Sequence, residues 1–212
     1  MEPSFWHQRW GENKIGFHES KVNPLLVDYL GELSLARGRR IFLPLCGKTL
    51  DISWLLSKGY RVAGVELSQL AIEQLFIELG AQPEISKVGE MEQWSANNID
   101  IFVGDIFALS KKILGPVDAI YDRAALVALP EEMRNRYTAH LMEITGKAPQ
   151  LVICYYYDQR LMDGPPFSVS DEEVQRHYAG HYDLRLLAST GASGKLAEQC
   201  GAKENVWLLK NK

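Results

Sequence analysis

Residues 40–67, RIFLPLCGKTLDISWLLSKGYRVAGVEL, carry the pattern that decides the fold. Two short apolar runs, Arg40–Leu45 and Tyr60–Leu67, flank a segment with helical spacing, Asp51–Ser57. Short apolar runs without polar alternation are typical of strands covered on both faces, and such strands occur in parallel sheets. The stretch therefore predicts a strand–helix–strand unit of a parallel sheet.

The same alternation of strands and helices continues along the chain. Further strands are predicted at Asn98–Val103, Val117–Tyr121 and Gln150–Tyr156, with a closing edge strand at Val206–Leu209. Further helices are predicted at Gln69–Leu79, Glu131–Ile144 and Asp171–His181, the first capped by Ser68 and the last by Ser170. Strands that alternate with helices predict the doubly wound α/β class, with a mostly parallel sheet and helices on both faces.

Length and composition limit the class of protein. The 212 residues suffice for one domain, taken as residues 1–212, and 46% hydrophobic residues can fill its core. A formal net charge of −4 argues against nucleic acid as a partner, and no apolar run approaches the roughly 20 residues that span a membrane. Three scattered cysteines and an N-terminus without a signal-peptide pattern predict a cytoplasmic protein. No exposed apolar helix face demands a partner, so we expect a monomer.

The N-terminal segment departs from this pattern. Trp6, Trp10 and Phe17 lie in a stretch that is otherwise rich in polar residues. We interpret residues 1–23 as an aromatic flap that closes over a ligand. A helix docked on the sheet by its aromatic side chains is the alternative.

The turn after the first strand excludes two nucleotide-binding motifs. The residues Gly47-Lys48-Thr49 resemble the end of a phosphate-binding P-loop, but Phe42 stands where that loop needs a glycine. The dinucleotide motif G-x-G-x-x-G is also absent. A ligand with a ribose and no pyrophosphate needs neither motif. Glu66, 19 positions after Gly47, is spaced to accept hydrogen bonds from ribose hydroxyls, although it could also be a solvated glutamate.

Two later strands also end in candidate site residues. Asp105 follows the third strand and can accept from an adenine amino group beside an apolar slot that includes Ile106, or it can cap a short helix. Arg123 follows the fourth strand and can hold an anion through its planar donor fork. The alternative for Arg123 is a local pair with Asp122 that only shapes the loop.

Other reactive residue types give weaker signals. Cys46 ends the first strand, but small buried cysteines are commoner than nucleophilic ones. His177 and His181 have the i, i+4 spacing of metal ligands, yet no third ligand is placed beside them, so we predict no metal.

Six motifs in order resemble the thiopurine S-methyltransferases, in the bacterial branch associated with selenium and tellurium compounds. They are Trp6-x3-Trp10 leading to Lys14-Ile15-Gly16-Phe17-His18, Phe42-Leu43-Pro44-Leu45-Cys46-Gly47-Lys48, Gly64-Val65-Glu66-Leu67-Ser68, Asp105-Ile106-Phe107, Tyr121-Asp122-Arg123-Ala124-Ala125-Leu126-Val127-Ala128, and Gly164-Pro165-Pro166-Phe167. The resemblance runs nearly end to end and implies a Rossmann-like class I methyltransferase with a seven-stranded sheet.

The resemblance also implies a cofactor and its site. S-adenosylmethionine would be the methyl donor and S-adenosylhomocysteine the product. The residues that match the family's cofactor site are Trp6, Trp10, Leu45, Glu66, Asp105, Ile106 and Arg123. Phe17 and Arg123 match the acceptor site, and Arg123 is the candidate catalytic residue. Vertebrate members carry a further arginine near the C-terminus, whereas this chain reads Ser189-Thr190-Gly191-Ala192-Ser193-Gly194-Lys195 there, which bears on acceptor preference.

The expected activity is transfer of a methyl group to a soft nucleophile. The resemblance implies thiopurines and other aromatic or heterocyclic thiols as small-molecule acceptors, and adds selenium and tellurium oxyanions as candidate metalloid acceptors. The alternative is a non-catalytic protein that binds S-adenosylmethionine or a related nucleoside.

Overall fold

The structure, a computed structural model, describes residues 3–212 of the 212-residue chain. The strands, numbered in chain order, are β1 Arg40–Leu43, β2 Arg61–Glu66, β3 Glu84–Val88, β4 Met91–Ala96, β5 Ile99–Val103, β6 Ala119–Arg123, β7 Gln150–Tyr156, β8 Tyr182–Gly191 and β9 Lys203–Asn211. The helices are α1 Pro3–Gly11, α2 Pro24–Tyr29, α3 Leu50–Ser57, α4 Gln69–Glu78, α5 Lys111–Leu114, α6 Glu131–Thr145, α7 Asp171–Tyr178 and α8 Gly194–Cys200.

All strands of the described residues join one sheet in the order β3-β4-β5-β2-β1-β6-β7-β9-β8. The central strands β5, β2, β1, β6 and β7 are parallel, as the apolar runs predict. The apolar runs predict six of the strands, and β8, which they do not predict, brings the doubly wound arrangement to the seven strands that the resemblance implies. The hairpin β3–β4, which the sequence analysis did not predict, adds two antiparallel strands at the edge and brings the sheet to nine.

Helices cover both faces of the sheet, and successive residues of each central strand point to opposite faces. One face buries Ile41, Val62, Tyr121 and Ile153 against side chains of α2, α3 and α4, among them Leu26, Ile52 and Phe76. The other face buries Phe42, Ala63, Ile120 and Val152 against side chains of α5, α6 and α7, among them Leu114, Tyr137 and Val174. Two apolar layers therefore hold the central strands, which explains why their sequences do not alternate with polar residues.

Two predicted elements differ from the structure by three residues at one end. The strand predicted at Val206–Leu209 spans Lys203–Asn211 and lies between β7 and β8, so it is not the edge strand. Its position follows from antiparallel pairing with both neighbours, which an apolar run alone does not reveal. The helix predicted to His181 ends at Tyr178, because the chain turns there into β8.

The predicted helix caps are present. The hydroxyl of Ser68 accepts a hydrogen bond from the Ala71 amide, and that of Ser170 accepts one from the Glu173 amide. No helix among residues 3–212 is long and apolar enough to cross a membrane.

Candidate active site

The carboxyl ends of adjacent parallel strands bring the predicted site residues to one edge of the sheet. Leu45 lies just beyond β1, Glu66 ends β2, Asp105 follows β5 and Arg123 ends β6. These strands are neighbours in the order β5-β2-β1-β6, so their ends form one continuous rim. Ligands of open α/β sheets bind outside this edge, next to the point where strand order reverses. That point lies here between β1 and β6.

Glu66 is buried and its carboxylate is fixed by the backbone. Its Oε2 accepts from the Gly47 amide and its Oε1 from the Ser68 amide, each at 2.9 Å. Burial raises the pKa of this carboxyl, and the backbone hydrogen bonds oppose part of that rise. Each carboxylate oxygen can accept more than one hydrogen bond, so Glu66 keeps acceptor capacity for a ligand hydroxyl.

The turns beyond β1 and β6 adopt left-handed backbone conformations. Leu45 has a φ of 46° and Ala124 a φ of 62°, and both are rare values for residues with a Cβ. Gly47 has a φ of 52°, and a Cβ added to it would lie 3.1 Å from Cζ2 of Trp10. Such conformations cost free energy and concentrate at ligand sites. Here they turn the chain sharply at both sides of the point where strand order reverses.

The three predicted aromatics of the N-terminal segment pack together over the β1 turn. Phe17 lies edge-on to both tryptophans, with ring centroids 5.8 Å from Trp6 and 5.5 Å from Trp10. Trp10 is buried and contacts Gly47, whereas Trp6 and Phe17 are half-buried. Residues 1 and 2 of the predicted flap lie outside the described residues.

The turn after β5 places Asp105 at the rim as a helix cap. Its carboxylate accepts from the Phe107 amide at 3.0 Å and begins a short 3-10 turn, which was the alternative open from sequence. The Asp105 side chain is exposed, whereas that of Ile106 is buried. The cap uses one oxygen of the carboxylate, which leaves the other available to a ligand.

Arg123 is the nearly buried cation of the rim. Its side chain is 8% exposed, and among residues 3–212 its hydrogen-bonding partner is Glu19, which arrives from the N-terminal segment. The local Asp122–Arg123 pair is not formed, because adjacent strand residues point to opposite faces. Asp122 instead accepts from the Tyr137 hydroxyl at 2.7 Å and the Leu126 amide at 3.1 Å, and burial raises its pKa to about 6.

The remaining reactive candidates take structural positions. Cys46 is buried, which raises the pKa of its thiol well above the ordinary value. His177 contacts Glu173 and Thr138 between α6 and α7, while His181 is exposed beyond the end of α7. No cluster of three or more His, Cys, Asp or Glu side chains suited to a metal ion occurs in the part of the chain that the structure describes.

Two features of the site were missed by sequence reasoning. Glu19 reaches Arg123 across 104 positions of sequence, and nothing in its neighbourhood marks it apart from other polar residues. Asp51 accepts from the Tyr121 hydroxyl at 3.0 Å and from the Asn23 amide at 2.8 Å. This buried carboxylate thereby ties α3 and β6 to the chain that leads out of the N-terminal segment.

The site belongs to a chain with close relatives. The family model described as thiopurine S-methyltransferase matches residues 1–212. A thiopurine S-methyltransferase of Xanthobacter autotrophicus is 54% identical over 210 residues, which cover 99% of each chain. One of Acinetobacter baylyi is 51% identical over 213 residues, covering 99% of this chain and 98% of that relative.

A solved structure shows the same fold at low sequence identity. It is the 1,6-didemethyltoxoflavin-N1-methyltransferase of Burkholderia thailandensis with bound 1,6-didemethyltoxoflavin and S-adenosylhomocysteine. The TM-score is 0.68 at 14% identity, covering 99% of this chain and 87% of that chain. Fold and full-length sequence similarity agree, and the protein belongs to the thiopurine S-methyltransferase family.

Proposed function

We propose that this protein transfers the methyl group of S-adenosylmethionine to the sulfur of thiopurines and other aromatic or heterocyclic thiols. The observation that carries the proposal is the placement of Arg123. A nearly buried guanidinium ends β6 and pairs with Glu19, two residues after Phe17 in the N-terminal segment, where it can hold an anionic, planar acceptor. Family membership supports the same reaction class.

The rim fits S-adenosylmethionine as methyl donor. Glu66 has a carboxylate held by the Gly47 amide, and this carboxylate would accept hydrogen bonds from the ribose hydroxyls. Asp105 and Ile106 lie one strand further along the rim, where they would flank the adenine. Leu45 and Trp10 would bracket the part of the donor nearest β1.

The chain's own residues act by orientation, charge and exclusion of water. S-adenosylmethionine supplies an electrophilic methyl group on a sulfonium centre. Arg123 would favour the ionised acceptor and hold it in line for attack. Phe17 would stack on the acceptor ring, while residues 1–23, with Trp6 and Trp10, would act as the flap that excludes water. Heterocyclic thiols ionise readily, so the site needs no separate general base.

Selenium and tellurium oxyanions are the second acceptor class that we propose to test. They are anions, as the charge of Arg123 requires, but they lack an aromatic ring for Phe17. If ring stacking contributes to acceptor binding, aromatic thiols should be favoured over these oxyanions.

The test is methyl transfer from labelled S-adenosylmethionine to a panel of thiopurines, aromatic thiols, selenite and tellurite. We expect methylated thiol and an equal amount of S-adenosylhomocysteine. The variant Arg123→Ala should lower turnover and move its pH profile upward by roughly 1–3 units, because the bound thiol loses its neighbouring cation.

The matched control is Arg176→Ala, which removes an exposed arginine paired with Glu131 between α6 and α7. Its pH profile should equal that of the unaltered protein. An unshifted profile in Arg123→Ala would refute charge assistance, and a protein that binds the donor without releasing product from any acceptor would refute the proposed reaction.

A further inference from the structure

The Glu19–Arg123 ion pair places an internal carboxylate where the proposed function places an anionic acceptor. Glu19 is 39% exposed, whereas Arg123 is 8% exposed. The carboxylate is therefore the more solvent-accessible partner of the ion pair. Its segment is the one that carries Phe17, the candidate acceptor contact.

Within residues 3–212, the Arg123 guanidinium has N–H donors without a hydrogen-bond partner, but its positive charge is already balanced by nearby carboxylates. One of its five N–H donors reaches Glu19, so geometry leaves room for a further acceptor of hydrogen bonds. Asp51 and Glu204 also act electrostatically on Arg123. With Glu19 ion-paired to the guanidinium, an arriving anion gains little attraction until that carboxylate withdraws.

Of these three carboxylates, Glu19 is the one free to withdraw. Asp51 is buried and held by the Asn23 amide and the Tyr121 hydroxyl. Glu204 lies on β9, within the sheet. Glu19 belongs to no helix or strand, and its carboxylate makes a single hydrogen bond among the described residues, the one from Arg123.

We infer that Glu19 is a specificity-determining residue whose carboxylate competes with the acceptor anion for Arg123. An anionic acceptor binds by displacing Glu19 from the guanidinium, and the flap segment then moves with the carboxylate it carries. Because the acceptor must replace a carboxylate, the ion pair favours acceptors that carry negative charge and also gain binding from a ring next to Phe17. This inference rests on the proposed function for the identity of the acceptor, but not for the competition itself.

The experiment measures binding separately from turnover. Protein saturated with S-adenosylhomocysteine is titrated with 4-nitrothiophenol, which is ionised at neutral pH, and with 1-methylimidazole-2-thione, which is neutral. Glu19→Gln keeps a hydrogen-bond acceptor for Arg123 but removes the competing charge. We expect its affinity for the thiolate to rise by about three- to tenfold, with an unchanged affinity for the neutral thione.

Two further variants control for charge and folding. Glu19→Asp keeps the charge. It should therefore bind the thiolate about as tightly as the unaltered protein does, and less tightly than Glu19→Gln. Glu32→Gln removes an exposed carboxylate that pairs with Arg185 of β8, an equivalent charge change at another ion pair. It should leave thiolate affinity unchanged. Thermal unfolding of each variant verifies that the altered proteins are folded.

The outcomes separate this inference from the proposed function. Thiolate affinity in Glu19→Gln that equals or falls below that of the unaltered protein would overturn the role of Glu19. An equal gain for the thiolate and the neutral thione would also overturn it, since competition for charge cannot affect a neutral ligand. If the thiolate binds more tightly to Glu19→Gln but no thiol is methylated by any form, the competition stands and the proposed reaction fails.

Discussion

At the scale of single residues, Glu66 shows how burial and chemistry combine. Burying a carboxylate without hydrogen-bond partners is unfavourable. Hydrogen bonds from two backbone amides, in the turns after β1 and β2, offset this desolvation penalty. The same contacts fix its orientation before any ligand arrives. Glu66 therefore connects two turns through hydrogen bonds and is also the proposed acceptor for ribose hydroxyls.

Glu66 leads to a prediction about pH. Its pKa lies above the ordinary 4.5 because the carboxyl is buried. Protonation removes the charge that strengthens hydrogen bonds from the ribose, so affinity for S-adenosylhomocysteine should fall as pH is lowered through this raised pKa. The decline should begin at a higher pH than for an exposed glutamate. Isothermal titration calorimetry between pH 7.5 and pH 5 measures it.

The control for this prediction is Glu66→Gln, which carries no charge at any pH. It should bind more weakly at pH 7.5, by about 1 kcal/mol for each hydrogen bond from the ribose, because a neutral amide oxygen accepts a weaker hydrogen bond than a carboxylate. Its affinity should vary less with pH than that of the unaltered protein. A parallel decline in both proteins would show that another group titrates and would contradict the role of Glu66.

At the scale of elements, a buried ionic cluster joins α6 to α7 away from the proposed site. Nε and Nη2 of Arg134 donate to the two oxygens of Glu173 at 2.6 and 3.0 Å, and His177 contacts the same carboxylate at 3.1 Å. Arg134 also donates to the Leu129 carbonyl at 2.8 Å, just before α6 begins. The cluster therefore links α6 to α7 and to the chain just before α6.

Breaking this cluster should be costly. Glu173→Ala leaves the buried Arg134 guanidinium without a counter-charge, and the loss of one partner of a buried pair typically costs about 3–5 kcal/mol. The free energy of unfolding, measured by urea denaturation, should fall accordingly. Glu131→Ala is the matched control, because Glu131 and Arg176 join the same two helices through an exposed pair. That change should cost less than about 1 kcal/mol, and equal costs for the two variants would contradict the argument.

At the scale of the whole molecule, the proposed site is made by the ends of several strands and a segment that precedes all of them. Glu66, Asp105 and Arg123 come from different parts of the chain and meet only when the sheet is assembled. A ligand that contacts all of them binds the folded state and not the unfolded chain. It must therefore stabilise the fold by mass action.

This linkage gives a prediction for thermal unfolding. At a concentration 100 times its dissociation constant, S-adenosylhomocysteine should stabilise the protein by about 2.7 kcal/mol, which for this length raises Tm by about 5–10 °C. Differential scanning calorimetry with and without the ligand measures the shift. Glu66→Ala at the same ligand concentration should show a smaller shift. An unchanged Tm in the unaltered protein would contradict the proposed cofactor site.

The sequence by itself determined the alternation of strands and helices, because apolar periodicity and capping residues are local properties. It also placed Glu66, Asp105 and Arg123 at or just beyond the ends of strands, since spacing along the chain is enough to predict positions at a sheet edge. The resemblance to one family was confirmed over the full length of the chain. Helix caps at Ser68 and Ser170 followed from local chemistry alone.

Only the tertiary structure decided the features that depend on distant contacts. The hairpin β3–β4 and the inner position of β9 arise from pairing between strands, which is not encoded in any one strand's pattern. Asp122 turned away from Arg123 because side chains of a strand alternate between faces once its neighbours fix it. Glu19 contacts Arg123 because the N-terminal segment folds back over the rim. A hydrogen bond between residues 104 positions apart cannot be predicted from local sequence.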